Sequence, residues 1–159
     1  MTFAVPFDGS DLAEAALVRA GEYAQALDES VVVVSVVSTR PHYAIEKGWI
    51  EHREEFDIET VARRLWEQAR DLVPEVGFRY ELVGPRPPAG AIAKAIRNVI
   101  SRIEPTVVFI GSDNAGRIAT PISSVGGTVA SSRVHDVYLV RDTNPPEIDG
   151  LDSGGAASE

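Results

Sequence analysis

Residues 2 to 37 read TFAVPFDGSDLAEAALVRAGEYAQALDESVVVVSVV, and the apolar runs at 2 to 6 and 31 to 37 decide the fold. Both are short, carry β-branched residues and contain no charge, the pattern of strands buried on both faces. Between them Leu12, Ala16, Ala20, Tyr23 and Leu27 recur at helical spacing, and Ser10 stands at the N-cap position. Strand, helix and strand in this order make a βαβ unit, which implies a parallel sheet.

The same alternation continues downstream. Ile58, Val61, Ala62, Leu65, Ala69 and Leu72 mark a helix that ends before Pro74, and the alternating run at 76 to 83 (VGFRYELV) predicts a more exposed strand at a sheet edge. Ile92, Ile96, Val99 and Ile103 mark a further helix after the turn GPRPP. A strand is expected at 106 to 110, a helix carrying Ile122, Val125 and Val129, and a last strand at 136 to 140. Residues 40 to 56 hold no firm period and predict a long surface excursion whose aromatic side chains are placed to cover a site or a partner. The resulting expectation is a single-domain, doubly wound α/β fold over residues 1–141. Its five parallel strands run in the order 3-2-1-4-5 with helices on both faces. Residues 142–159 are acidic, contain no aromatic or basic side chain, and are expected to lack order.

The totals narrow the function classes. With 159 residues the chain fits one core, and 24 acidic against 15 basic side chains give a net charge of -9 that repels nucleic acid and anionic lipid. Neither a membrane span nor a secretory signal is found, so a cytoplasmic location is expected. There is no cysteine, hence no disulfide, thiolate nucleophile or cysteine-type zinc site. Only Lys47 and Lys94 are lysines, which suits a salt-rich cytoplasm and equally a coding bias toward arginine. His42, His52 and His135 are scattered without a second histidine at i+4 and are read as surface residues, not metal ligands. No G-x-S-x-G or other catalytic constellation is present, so no catalytic residue is assigned.

Ligands on such a sheet lie beyond the carboxyl ends of the strands, where the strand order reverses. Three segments reach that place: VPFDGS at 5 to 10, SVVS at 35 to 38, and the glycine-rich GSDNAGRIATPISSVGGT at 111 to 128. The last comes directly after a strand and opens a helix, a position suited to phosphate. It matches neither G-x-x-x-x-G-K-[ST] nor G-x-G-x-x-G.

In its order of elements the chain resembles the universal stress protein family. The carriers are VPFDGSDLAEAAL at the first strand and helix, TVVFIGS at the fourth strand, and SSV-x-x-x-V with DVYLVR at the final helix and strand. Family members that bind ATP carry G-x2-G-x9-G-[ST] after the fourth strand. Carried over, Gly111 matches the first glycine and Ser124 the final hydroxyl, while Asn114 and Ser123 replace the second and third glycines with one residue fewer between them. Asn114 tolerates a left-handed turn, but a side chain at Ser123 fills space that a phosphate needs, and Asp113 adds negative charge unless Arg117 or a metal ion offsets it.

The resemblance also implies that Pro6, Phe7 and Asp8 border the nucleotide, with Asp8 near the ribose and a magnesium or manganese ion, and that Val36 offers backbone groups to adenine. A turn-forming role for Asp8 and an N-cap role for Ser10 are the alternatives. Two functions are open. One is a stress-associated regulatory or protective homodimer in which nucleotide binding is weak or lost. The other is an ATP-dependent switch with at most slow hydrolysis. The homodimer is expected to form through residues 136–140, burying Val137, Leu139 and Val140. An ATP-pyrophosphatase would show S-G-G-x-D-S where PFDGSD stands, and a phosphoacceptor receiver domain would need an acidic pair, an acceptor Asp and a Lys that this chain lacks at the corresponding strand ends.

Overall fold

The computed structural model of the chain describes residues 2–113, 135–144 and 146–148. The five expected strands and three of the expected helices are present, together with two short elements not foreseen, α2 and a 3-10 turn: β1 (Thr2–Pro6), α1 (Asp11–Leu27), β2 (Ser30–Ser38), α2 (His42–Glu46), a 3-10 turn (Arg53–Glu55), α3 (Ile58–Leu72), β3 (Gly77–Val83), α4 (Ala91–Ile103), β4 (Val107–Gly111) and β5 (Asp136–Val140). The strands form one parallel sheet in the order β3-β2-β1-β4-β5. The helix expected around Ile122, Val125 and Val129 lies outside the described residues.

Helix boundaries arise from local chemistry. The Ser10 side chain accepts a hydrogen bond from the Ala13 N–H at 3.3 Å and caps α1, which contributes about 1 kcal/mol in such positions. Asp57 does the same for α3 through the Glu59 N–H. At the other end of α1 the chain turns at Asp28, which adopts a left-handed conformation (φ 56°).

The sheet divides two apolar layers. On one face α1 and α3 cover Phe3, Val5, Phe7, Val31, Val33, Val37 and Phe109; on the other α4 covers Ala4, Val34, Val108 and Ile110. This alternation within β1 and β2 is the period of two that both-face burial requires. An aromatic cluster closes the first layer near β5. Phe109 stacks on Tyr138 with centroids 5.1 Å apart, and Tyr23 of α1 lies against both. Burial and the hydrogen bond with Tyr138 raise the Tyr23 pKa above the usual phenol value.

Three expectations change in detail. The segment 40 to 56 is docked on the molecule instead of forming a free excursion: Ala44 and Ile50 are buried in the α1/α3 layer, with Ile45, Trp49 and Phe56 packed beside them. Within the tail expected to lack order, Pro146 and Ile148 are tied to α1. The buried Arg19 donates to the Pro146 carbonyl at 3.0 Å, and the Ile148 N–H donates to Glu22 Oε2 at 3.2 Å. His135 is also not a plain surface residue, since its Nε2 is shielded from solvent with no hydrogen-bond partner among the described residues. Burial lowers its pKa.

Candidate functional site

The switch point lies at β1. Its neighbours are β2 and β4, reached by crossovers on opposite faces, so the loops leaving β1 and β4 part and leave a crevice at their carboxyl ends. β1 stops at Pro6, opposite Val34, whereas β2 runs on to Ser38 beside β3. The overhanging end of β2 forms one wall.

Val36 sits in that overhang. The Phe7 N–H donates to the Val34 carbonyl at 2.8 Å and the Thr39 N–H to the Val83 carbonyl at 3.1 Å. Parallel ladders alternate, so Val34 and Val36 turn their backbone groups toward the β1 side while Ser35 and Val37 face β3. At Val36 the last β1 pair has already passed, and its N–H and C=O point over the crevice.

The loop after β1 is tightly held. Phe7 has both backbone groups engaged, its carbonyl accepting from the buried Ser35 hydroxyl at 2.7 Å, and its ring is only 3% exposed. Pro6 is buried and has no N–H to offer. These two residues anchor the loop from beneath, and Asp8 is its first exposed residue. Asp8 is exposed, and its Oδ1 accepts from the Ser10 N–H at 2.9 Å, the turn-forming role. Gly9 has φ of +80°, a conformation in which a side chain is strained, and its carbonyl accepts from Gln68 Nε2 at 3.2 Å. Gln68 also donates to Glu14 at 2.9 Å, so α3 clamps the loop to the start of α1.

Gly111 ends β4 within the same crevice. A Cβ there would come within 2.9 Å of Leu12 Cβ and 3.3 Å of the Leu12 carbonyl carbon, so glycine is required by the first turn of α1 whatever the loop binds. The Asp113 carboxylate also lies close, 3.0 Å from that added atom. The structure thus brings Phe7, Asp8, Val36 and Gly111 to one end of the sheet, with Pro6 beneath. Asn114, Ser123 and Ser124 lie outside the described residues.

Comparison with known proteins agrees with this layout. The profile of the universal stress protein family matches residues 1–141. The chain belongs to the universal stress protein family. Among solved structures, a universal stress protein in complex with cAMP is similar over 91% of this chain and 98% of its own, at 20% identity and a TM-score of 0.52. A universal stress protein family member from Burkholderia pseudomallei is similar over 89% of this chain and 96% of its own, at 17% identity and a TM-score of 0.50. At these identities the likeness is one of fold. A search of curated protein sequences gives no match.

Two residues that position the universal stress protein loop escaped sequence reading. Ser35 sits in an apolar strand where its hydroxyl has no local partner, and Gln68 acts on a carbonyl 59 positions away. A polar residue interrupting VVVVSVV was the one available signal for Ser35. A separate grouping, Glu51, His52 and Glu55, brings its ligand atoms within 4.8 Å of one another, but all three residues are exposed, Glu55 on the 3-10 turn and the other two just before it.

Proposed function

We propose that this universal stress protein is a regulatory or protective homodimer whose crevice recognises an adenine nucleotide weakly. The observation that carries the reading is the division of labour at the strand ends. Val36 turns backbone donor and acceptor toward the crevice, as adenine recognition needs, whereas the glycine retained on the phosphate side, Gly111, is required by its contact with Leu12. Gly111 is therefore poor evidence for phosphate binding. Asn114 and Ser123 add side chains where close approach of phosphate needs none, and Asp113 adds charge of the wrong sign.

A divalent ion fits this end of the chain on chemical grounds, because magnesium is usually held by one or two carboxylates together with substrate phosphates. Asp8 would be its ligand, and the ion would neutralise phosphate charge beside Asp113. The remaining work falls to the chain itself: Gln68, Ser35 and Gly9 fix the loop on which Asp8 is carried. Adenine nucleotide as the ligand class is supported by the relative solved with cAMP. The second reading, an ATP-dependent switch with at most slow hydrolysis, draws on the same Val36 geometry and requires that the glycine loop hold a triphosphate.

Calorimetric titration separates the two. ATP with magnesium is expected to bind with a dissociation constant at or above roughly the millimolar level, equivalent to about 4 kcal/mol. The cyclic monophosphate, which asks for fewer phosphate contacts, is expected to bind at least as well. Restoring glycine at Asn114 and Ser123 should tighten ATP. Micromolar ATP binding by the unaltered chain would establish the switch instead.

The homodimer is proposed through β5, whose Val137 and Leu139 backbone groups face away from β4 because the Asp136 N–H is already given to the Thr106 carbonyl at 3.0 Å. Val140 takes no part in that contact, since it is 4% exposed within the chain's own core.

A further inference from the structure

We propose that the opposite edge of the sheet, β3, is a second self-association surface, where two copies pair antiparallel about a twofold axis at Tyr80. The inference does not rest on the β5 contact. Among the described residues β3 pairs with β2 alone. Because the Val83 carbonyl accepts from the Thr39 N–H, the ladder turns the backbone groups of Gly77, Arg79, Glu81 and Val83 toward β2. Those of Phe78, Tyr80 and Leu82 face outward.

An antiparallel twofold at Tyr80 sets Tyr80 opposite its own copy, Phe78 opposite Leu82, Arg79 opposite Glu81 and Gly77 opposite Val83. The outward residues then meet only outward residues, so every outward N–H and C=O of both strands finds a partner. Each side of the ribbon is also chemically matched. On the α3 face Trp66 stacks on Phe78 with centroids 6.1 Å apart, and Phe78 lies 5.8 Å from Tyr80. Trp66, Tyr80 and Leu82 are 38%, 41% and 48% exposed, an apolar strip that the second copy would continue across the axis.

On the α4 face the charges fix the register. Arg79 has no ion-pair partner among the described residues, and Glu81 is steadied by Arg102 at 3.2 Å. With the axis at Tyr80, each Arg79 faces a Glu81. Moving the axis one residue either way, the smallest shifts that keep outward residues paired, sets Arg79 against Arg79 or Glu81 against Glu81. Edge strands are commonly guarded by charged side chains, which repel a second copy when like charges meet. Here both signs stand symmetrically about Tyr80, so the edge is complementary to itself.

Sedimentation equilibrium on variants of the full chain tests the proposal. Leu139→Asp, which blocks the β5 contact, should still form a dimer. Adding Arg79→Glu should weaken that dimer at least about tenfold, and adding Glu81→Arg as well should restore it. Because the chain has no cysteine, Tyr80→Cys in the same background gives a clean second readout. Mild oxidation should produce a disulfide-linked dimer, since opposed residues in such a pair lie about 5.5 Å apart at Cα. A monomeric Leu139→Asp protein at all concentrations, with the unaltered chain dimeric, would leave the β5 contact standing and overturn this one. Indifference to Arg79→Glu, or failure of the reversed pair to recover, would overturn the register and with it the proposal.

Discussion

Gly111 at the end of β4 and Leu12 in the first turn of α1 approach so closely that a Cβ on the glycine would lie 2.9 Å from the leucine Cβ. Glycine here is a packing residue before it is a ligand-binding one. Gly111→Ala is accordingly expected to destabilise the fold by about 1–3 kcal/mol, the usual cost of overpacking a well-filled contact. Urea denaturation with and without millimolar ATP checks it. The loss should be the same in both, whereas a loss seen only with nucleotide present would return Gly111 to the binding loop.

The contrast between Gly111 and Gln68 shows what a sequence can disclose. Helices α1 and α3, with their caps Ser10 and Asp57, are readable because apolar spacing and capping are local, and β3 is readable as an edge because Phe78, Tyr80 and Leu82 alternate with charge. The crevice is implied by the order of these elements. Its fine structure is not. Gln68 on Gly9, Ser35 on Phe7 and Arg19 on Pro146 act over distances of 59, 28 and 127 positions, and nothing in their neighbours signals the partner. Likewise Ala44 and Ile50 lie in a stretch without period and are buried only because tertiary contacts put them there.

Arg19 gives a second prediction. Its side chain is 8% exposed, pairs with Glu22 at 2.9 Å and holds the Pro146 carbonyl. Arg19→Ala leaves a carboxylate that is 13% exposed without its cation and frees the returning tail. Hydrogen bonds to charged groups contribute about 1.5–3 kcal/mol, and a loss of that order is expected in denaturant unfolding. Truncation after Arg141 removes the Pro146 and Ile148 contacts while leaving the Arg19–Glu22 pair in place, and should cost less. If truncation costs as much as the substitution, the tail rather than the ion pair carries the effect.

Acid should weaken the fold through His135. Burial lowers its pKa below the ordinary 6.5, with the nearby Asp136 opposing the shift only in part. The folded state therefore takes up its proton later than the unfolded state as pH falls. This group leaves stability untouched well above pH 6.5 and subtracts from it as pH drops through 6.5 toward the lowered value. His135→Gln should flatten that part of the stability profile between about pH 7 and 5, measured by urea midpoints. A profile of unchanged slope would assign the acid sensitivity to other groups.

The β5 edge supplies the last prediction. Leu139 is 48% exposed although it lies in an apolar strand, and its backbone groups, with those of Val137, are turned away from β4. A charge placed there is carried into a twofold contact of this edge, opposite its own copy with the axis at Leu139 and opposite Val137 with the axis at Tyr138, and is desolvated as the strands close. Leu139→Asp should shift light scattering at micromolar concentration toward smaller species at least about tenfold in association constant, because burying an unpaired charge in an apolar contact is unfavourable. Its exposure means that the fold itself should survive, with an unaltered far-ultraviolet circular dichroism spectrum. Tyr138→Phe is the companion control. Tyr138 packs on Phe109 at 5.1 Å inside the α1 layer, so losing its hydroxyl should perturb the Tyr23 titration and leave assembly as it was. If Tyr138→Phe dissociates the protein while Leu139→Asp does not, the contact runs over the α1 face of β5 and not along its backbone edge.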